Sequence, residues 1–505
     1  MKNLRKCGWV VLILCATQYL FAQSKVQKLD RFIKKMYAQN QFNGGVLIAE
    51  KGKVIYKKTL GWRDAQARKK LDLQTGFQTA SLSKTFTAVA IMILKEKKML
   101  SYDDKLVKYL PELPYPNITI RHLITHTSGL YPYNPLFKKH WKDKNKIATN
   151  EDIIAMYKTH KPKTFFKPGT EWGYCNVGYV FLSSIVAKVA KMPFEDFLKQ
   201  HIFVPAKMTQ TQVYTKLNSQ RIKNFAVEHV YDIGKQKQVS AGQIPGNEEI
   251  HYLHGKLGDD KVASTLEDLL KWDRVLYTNK IVSLQTLQEA FQPVASSFDK
   301  SKRHGKFDYG YGFQLDQHPK YGKVVYHNGG EPGLRVRFIR HIDQDKTIII
   351  YGNMYSTYLN KIRDAVLQIL YNQPYEIPKK LVSEALKPII LTKDSTYVRK
   401  AFQKLVAQKE AYFVREGGLE FLAGELWSRK KYREGLWLLH FMVEQFPKSA
   451  NARYVLGEGY METNQNQKAI FHFKKLLNML KPRKTKRAES FRQYVQKLIS
   501  RLSSK

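Results

Sequence analysis

The chain has 505 residues, of which 43% are hydrophobic; that supports two or three packed domains and excludes a disordered or fibrous chain. Lysine and arginine total 85 against 43 acidic residues, a formal charge of +42. No dense basic tract dominates, and there is no zinc-type Cys/His spacing, Walker loop or aromatic RNA-binding signature. Such a balance suits a nucleic acid, an anionic membrane surface or an acidic polymer as partner, or simply a basic solvated surface; the last is the reading favoured, and with no supporting motif no nucleic-acid partner is expected.

At the start, Lys2, Arg5 and Lys6 form a basic stretch before the apolar run Gly8 to Phe21, which is too short for a comfortable membrane span. Ala22 is a small residue suited to a cleavage site. Residues 1–22 are expected to be a secretory signal peptide, which places the mature protein in the periplasm or outside the cell. A lipid anchor at Cys15 is disfavoured by Leu14 before it. Loss of the signal leaves Cys175 as the one cysteine, so no internal disulfide is expected. No later stretch is long and apolar enough to span a bilayer, so the mature chain is expected to have no transmembrane segment.

Val26, Leu29, Ile33 and Met36 recur at helical spacing. Gly44 to Ala49 and Lys53 to Leu60 read as a hairpin around Glu50-Lys51-Gly52. Ser81-Leu82-Ser83-Lys84 then opens the apolar run Ala88 to Leu94, a helix expected to reach about Leu100. Residues three apart share a helix face, which sets the Lys84 amine beside the Ser81 hydroxyl. A serine hydroxyl is a poor nucleophile until a neighbour takes its proton, and a desolvated lysine is such a neighbour. In a lysine-rich chain the Ser-x-x-Lys pattern also arises by chance, so its weight rests on partners downstream.

Ile118 to Leu130 reads as a helical segment ending in the turn His126-Thr127-Ser128-Gly129. Phe166 to Thr170 is a further turn, followed by Glu171-Trp172-Gly173-Tyr174-Cys175-Asn176 and a helix from about Gly178 to Ala190. Residues 215–256 are polar and weakly periodic and are expected to be a surface excursion. Ser264, three residues before Glu267, is expected to cap a helix. Lys323 to His327, Arg335 to His341 and Lys346 to Asn353 read as strands, the first two joined by Asn328 to Gly333, and a helix from Leu359 to Tyr371 follows. Strands at both ends and helices between them predict one sheet completed by the two ends of the chain, with a helical lobe inserted.

Pro374 to Pro388 reads as a linker. Beyond about residue 395 the chain is helical and repeats at an offset of 34: Leu422 with Leu456, Ala423 with Gly457, Leu426 with Tyr460, Gly435 with Ala469. This is tetratricopeptide (TPR)-type periodicity, and such repeats commonly offer a surface to a partner protein.

Five motifs thus occur in order: Ser81-x-x-Lys84, His126-Thr-Ser-Gly-Leu, Phe166-x-Pro-Gly-Thr, Tyr174-x-Asn176 and His327-Asn328-Gly329-Gly330. Together they resemble the class C β-lactamase and D-Ala-D-Ala carboxypeptidase-like serine hydrolases. The resemblance covers residues 27–372 and implies an α/β (α+β) serine β-lactamase-like fold there, an antiparallel sheet from both chain ends with an inserted helical lobe; the linker is then expected over 373–394 and the TPR-like helical repeats over 395–505. It implies that Ser81 attacks a carbonyl and carries the acyl group, that Lys84 helps deprotonate it, and that Tyr174 serves as a base or proton relay. Asn176 would hold Lys84 and a substrate amide, and His327 would face the cleft from an edge strand. Gly329 and Gly330 would belong to the substrate- and oxyanion-binding set, with the Ser81 and Gly330 backbone N–H groups on the oxyanion. No cofactor or metal is implied.

Two departures stand out. Cys175 occupies a position usually held by a small residue, and His327 replaces the lysine of the β-lactamases, which removes a fixed charge for a β-lactam carboxylate. The expected activity is hydrolysis of an amide, ester or lactam bond in a small substrate through a Ser81 acyl-enzyme, most like a D-Ala-D-Ala peptidase or esterase, with efficient β-lactamase activity disfavoured by His327. The alternative, a catalytically silent penicillin-binding-like sensor or repeat scaffold, is opposed by the intact Ser81, Lys84 and Tyr174.

Overall fold

The computed structural model describes residues 25–217, 223–244, 246–294, 308–482 and 485–504; the predicted signal segment lies outside them. The chain divides into two compact units, one of residues 1–231 with 238–377 and one of residues 232–237 with 378–505.

In the first unit the helix over residues 25–38 buries Leu29, Phe32, Ile33 and Met36, the face its spacing predicts. β1 (Gly44–Glu50) and β2 (Lys53–Leu60) form the expected hairpin. The remaining strands of the main sheet come late: β3 (Asp308–Tyr309), β4 (Gln314–His318), β5 (Gly322–Glu331), β6 (Leu334–His341) and β7 (Lys346–Gly352). The order is β3-β4-β5-β6-β7-β1-β2, and every neighbouring pair is antiparallel. The seam between β1 and β7, from Gly44↔Gly352 to Glu50↔Lys346, is where the two ends of this unit close one sheet.

Between β2 and β3 the chain builds the helical lobe, including Ser83–Glu96, Asn150–His160, Asn176–Ala190 and Leu266–Val275. The Ser83–Glu96 helix is buried on every face from Ser83 to Leu94, as a central core helix must be. Phe86 on it stacks on Trp272, with ring centroids 4.4 Å apart.

Four sequence expectations are corrected. The Asn328–Gly330 motif belongs to β5 itself, so the turn shrinks to Pro332-Gly333, where Gly333 takes φ 80°. The short strands β3 and β4 had no readable alternation, and their presence makes β5 an interior strand, not an edge. Ser264 ends the Val262–Ser264 strand, and the next residue, Thr265, caps the helix by accepting the Asp268 N–H. The 215–256 segment is no mere surface excursion: it carries strands at His229–Asp232 and Lys237–Ser240 and buries Tyr252 and Leu253.

The second unit contains helices Ser395–Ala407, Glu416–Trp427, Tyr432–Gln445, Ala450–Glu462, Asn466–Leu480 and Lys486–Ser503. A short strand, Lys380–Leu381, and a short helix, Val382–Leu386, occupy the stretch read as a linker. Leu422, Leu456, Ala423 and Ala469 are buried, and Gly435 and Gly457 abut the rings of Trp427 and Phe473, where a Cβ would collide. Among the described residues no single helix is long and apolar enough to cross a membrane.

One buried ion pair ties the helical lobe to the sheet. Arg340 on β6 donates to Asp273 at 2.7 Å, both side chains are fully buried, and the Thr347 hydroxyl donates to the other Asp273 oxygen at 2.7 Å. Removing one partner strands a buried charge, at a cost of about 3–5 kcal/mol. Asp273→Ala is therefore expected to lower unfolding free energy by that amount in a denaturant titration, and a loss under about 1 kcal/mol would contradict the pair's role.

Candidate active site

The strand Phe77–Gln78 pairs with Val262–Ser264 and delivers the chain into a 3₁₀ turn, Ala80–Leu82, that runs straight into the Ser83–Glu96 helix. Ala80 sits at φ 47°, a left-handed conformation that costs a non-glycine residue about 1–3 kcal/mol. The junction is clamped from the neighbouring strand: Thr79 donates through both its N–H and its hydroxyl to the Val262 carbonyl, at 2.8 and 2.9 Å, and the Val262 N–H donates to Ser83 Oγ at 3.0 Å. The strained turn thus holds Ser81 at the mouth of the helix.

Lys84 lies one helical turn further and is wholly buried. Its ammonium donates to Ser81 Oγ at 3.1 Å and to the Asp259 carbonyl at 2.7 Å. The rings of Tyr174 and Tyr179 complete its surroundings, with centroids 5.1 and 5.6 Å away, within cation–π range. A buried charge needs such partners, and here they come from three stretches of the chain.

Tyr174 is positioned by the two turn motifs. Gly173 N–H donates to the His126 carbonyl at 2.9 Å, Gly169 N–H to the Thr127 carbonyl at 2.9 Å, and Phe165 N–H to the Gly129 carbonyl at 2.7 Å. Gly129 takes φ 69°, and a Cβ there would strike the Phe166 carbonyl. His126 Nδ1 accepts the Cys175 N–H at 3.1 Å, and its ring lies 4.2 Å from the Tyr174 ring. Burial first, then the Lys84 charge, holds His126 well below the usual histidine range, so it is neutral. Tyr174 is half-buried and offers Lys84 its ring; among the described residues no hydrogen bond joins its hydroxyl to Ser81 or Lys84.

Asn176 opens the Asn176–Ala190 helix and lines the cleft with Ser81 and Gly330. Its Oδ1 is buried with no hydrogen-bond partner; the Asp259 carbonyl, not Asn176, holds Lys84. Cys175 donates its thiol to the Leu130 carbonyl at 3.3 Å, and burial pushes its pKa up to about 11, which makes it an inert filler.

On β5, a Cβ at Gly329 would run into the Thr79 carbonyl, so glycine is required where the strand crosses the Ser81 turn. His327 is placed otherwise than expected. It is buried, does not line the cleft, and has Nδ1 2.8 Å from the Asn328 carbonyl and Nε2 3.2 Å from the Tyr309 hydroxyl. A carbonyl only accepts, so Nδ1 carries the proton and Nε2 accepts from Tyr309. Burial, reinforced by the Lys84 charge, pushes its pKa down to about 3. The Tyr309 ring of β3, its centroid 6.0 Å from the His327 ring, lies over this side chain.

Sequence reasoning missed the opposite wall. The cleft, about 190 Å³, is also lined by Tyr133, Lys256, Asp259, Asp260, Lys261 and Glu331. Lys256 lies 3.0 Å from Asp259 and 2.7 Å from Asp260; Lys261 lies 2.8 Å from Asp260 and 3.5 Å from Glu331. The Tyr133 hydroxyl donates to Asp259 at 2.7 Å. Burial raises Glu331 to about 7, with the neighbouring Asp260 adding to the effect. Burial would raise Asp260 as well, but Lys256 and Lys261 outweigh it and hold that carboxyl below the usual range. The signal was the run Lys256-Leu-Gly-Asp-Asp-Lys261, which lies at and just past the end of a segment read as solvated.

The comparisons with known proteins give the family of the first unit. The beta-lactamase family model matches residues 29–375, and the chain belongs to that family. It is a serine hydrolase related to penicillin-binding proteins and a D-aminopeptidase. A penicillin-binding protein of Bacillus subtilis is 37% identical over 379 residues, covering 74% of this chain and 83% of that one. The D-aminopeptidase of Brucella anthropi is 26% identical over 252 residues, 49% of this chain and 45% of that one. Among solved structures, the octameric penicillin-binding protein homologue from Pyrococcus abyssi shares the fold with a TM-score of 0.59 at 24% identity, covering 69% of this chain and 78% of that one. The D-amino acid amidase from Ochrobactrum anthropi SV3 does so at 0.57 and 19%, covering 70% and 99%.

His327 supplies a pH test. The unfolded chain takes up a proton near the ordinary histidine pKa, about 6.5, which the folded chain refuses until about pH 3. This residue therefore costs stability progressively as pH falls from about 6.5 toward 3, and the folded His327 ring should stay neutral from pH 8 to 5. Imidazole chemical shifts followed by NMR check this; a titration near 6.5 would refute the buried, neutral assignment.

Proposed function

We propose that the protein hydrolyses an amide, ester or lactam bond in a small substrate through an acyl-enzyme on Ser81, as a D-amino-acid peptidase or esterase and not as an efficient β-lactamase. The observation that carries this reading is the 3.1 Å hydrogen bond from the wholly buried Lys84 ammonium to Ser81 Oγ. Lys84 first yields a proton, with Tyr174, whose ring lies beside it, as the relay, and the amine so formed takes the Ser81 proton as the hydroxyl attacks. The backbone N–H groups of Ser81 and Gly330, which share the cleft, receive the oxyanion, and Asn176 Oδ1 accepts a substrate N–H. A neutral, buried His327 leaves no fixed charge on β5 for a β-lactam carboxylate, which argues for neutral or cationic substrates. The signal-like N-terminus favours work in the periplasm or outside the cell.

Purified protein is expected to turn over p-nitrophenyl esters or D-amino-acid peptides and to process nitrocefin slowly. Lys84→Ala and Tyr174→Phe should each slow turnover by about 10²- to 10⁴-fold, with a double variant far milder than the product of the two. Cys175→Ala should remain active. Independent, multiplicative losses would contradict a shared proton path.

We infer further that the helical unit is a TPR-type module that binds a partner protein. A single offset of 34 residues relates its two successive helix pairs, and the unit carries a groove of about 790 Å³ lined by Phe421, Trp427, Glu420 and Glu458. A chain ending at Tyr375 should keep its hydrolase turnover within about threefold, since repeat units contact mainly their neighbours. A folded but inactive truncated protein would overturn that independence.

A further inference from the structure

The cleft has a charge pattern opposite to that of the chain. The whole sequence carries +42, yet the cleft wall presents Asp259, Asp260, Glu331 and Glu249 against two lysines, Lys256 and Lys261. Both ammonium groups are already neutralised. Lys256 bridges both Asp259 oxygens, at 3.0 and 3.1 Å, and Asp260 Oδ2 at 2.7 Å. Lys261 is committed to the same Asp260 oxygen at 2.8 Å. The acceptors, in contrast, are in excess. Asp260 Oδ1 is buried and, among the described residues, meets no N–H or hydroxyl donor; the Glu331 carboxyl facing Asp260 is its remaining partner. Glu331 has one distant ammonium, at 3.5 Å, and keeps 25% of its side chain open.

Glu331 follows Gly330 directly, and Gly330 and Ser81 line this same cleft. A carbonyl seated between them therefore places its neighbouring substituent beside Glu331 and Asp260. Two facing carboxyls are satisfied by one shared proton or by one cation, and an ammonium is the cation a small amide or peptide substrate can bring. The pocket of about 190 Å³ suits a single amino-acid residue. Asn134 donates to Glu249 at 3.0 Å, which ties that fourth acid away from the substrate.

We propose that Glu331 and Asp260 are the specificity residues of this cleft and select substrates with a free ammonium group beside the scissile carbonyl. The proposal rests on the Ser81 hydrolase reading above. On binding, the substrate ammonium replaces the proton between the two carboxyls, and a substrate with an acylated nitrogen or a carboxylate at that position is rejected.

The test is kcat/KM for the p-nitroanilides of D- and L-alanine against their N-acetyl forms, with p-nitrophenyl acetate reporting on Ser81 alone. The native protein should favour the free amine of at least one enantiomer by about tenfold or more. Glu331→Gln should reduce that ratio by about 10- to 100-fold, chiefly through KM, the range for one charge-assisted hydrogen bond. Glu331→Asp should recover part of it. Acetate turnover with equal rates on free and acetylated anilides, or a ratio untouched in Glu331→Gln, overturns this inference while leaving the hydrolase reading intact. No turnover of any of these substrates overturns the hydrolase reading and the inference with it. If Glu331→Gln does not fold, the native ratio alone decides.

Discussion

A charged lysine side chain fully removed from water is expensive, and the first unit is built so that this cost is met at one point. Lys84 is the group in question. Its carbonyl partner comes from Asp259, its hydroxyl partner from Ser81, and its aromatic walls from Tyr174 and Tyr179. Ser81 is a local neighbour, but the Asp259 carbonyl and the two tyrosines come from distant stretches and reach Lys84 only because the lobe packs around the Ser83–Glu96 helix. The Thr79–Val262 clamp and Gly329 against the Thr79 carbonyl fix the turn from two sides. Strain at Ala80 persists because the surroundings leave it no alternative.

The aromatic and imidazole groups behind Lys84 form a neutral support. His126 and His327 are both held unprotonated by burial, and the adjacent ammonium adds to the effect. Two protonated rings beside Lys84 would place three positive charges in one buried volume. Neutral rings instead keep the field at Ser81 dominated by a single ammonium. Ahead of Lys84 the cleft wall is acidic, so a substrate meets an environment unlike the basic surface outside.

What could be read from the sequence was local. Ser81 and Lys84 meet because residues three apart share a helix face, and the β1–β2 hairpin and the 25–38 helix follow from periodicity alone. Motif order then carried the fold. What could not be read was set by tertiary neighbours. His327 is buried because Tyr309 on β3 covers it, and β3 and β4 are too short to show alternation. The helix cap moved from Ser264 to Thr265 because pairing with Phe77 claimed Ser264 for a strand. Asp259, Asp260 and Glu331 were missed since charged residues in a polar stretch look solvated until burial and partners are known.

The central claim is that Ser81, primed by a buried Lys84, is the nucleophile. It is tested most directly by intact-mass and peptide mapping after reaction with a serine-directed fluorophosphonate. The account predicts one adduct per chain, on the peptide containing Ser81, and none in Ser81→Ala. An adduct elsewhere, or labelling that survives in Ser81→Ala, would contradict it.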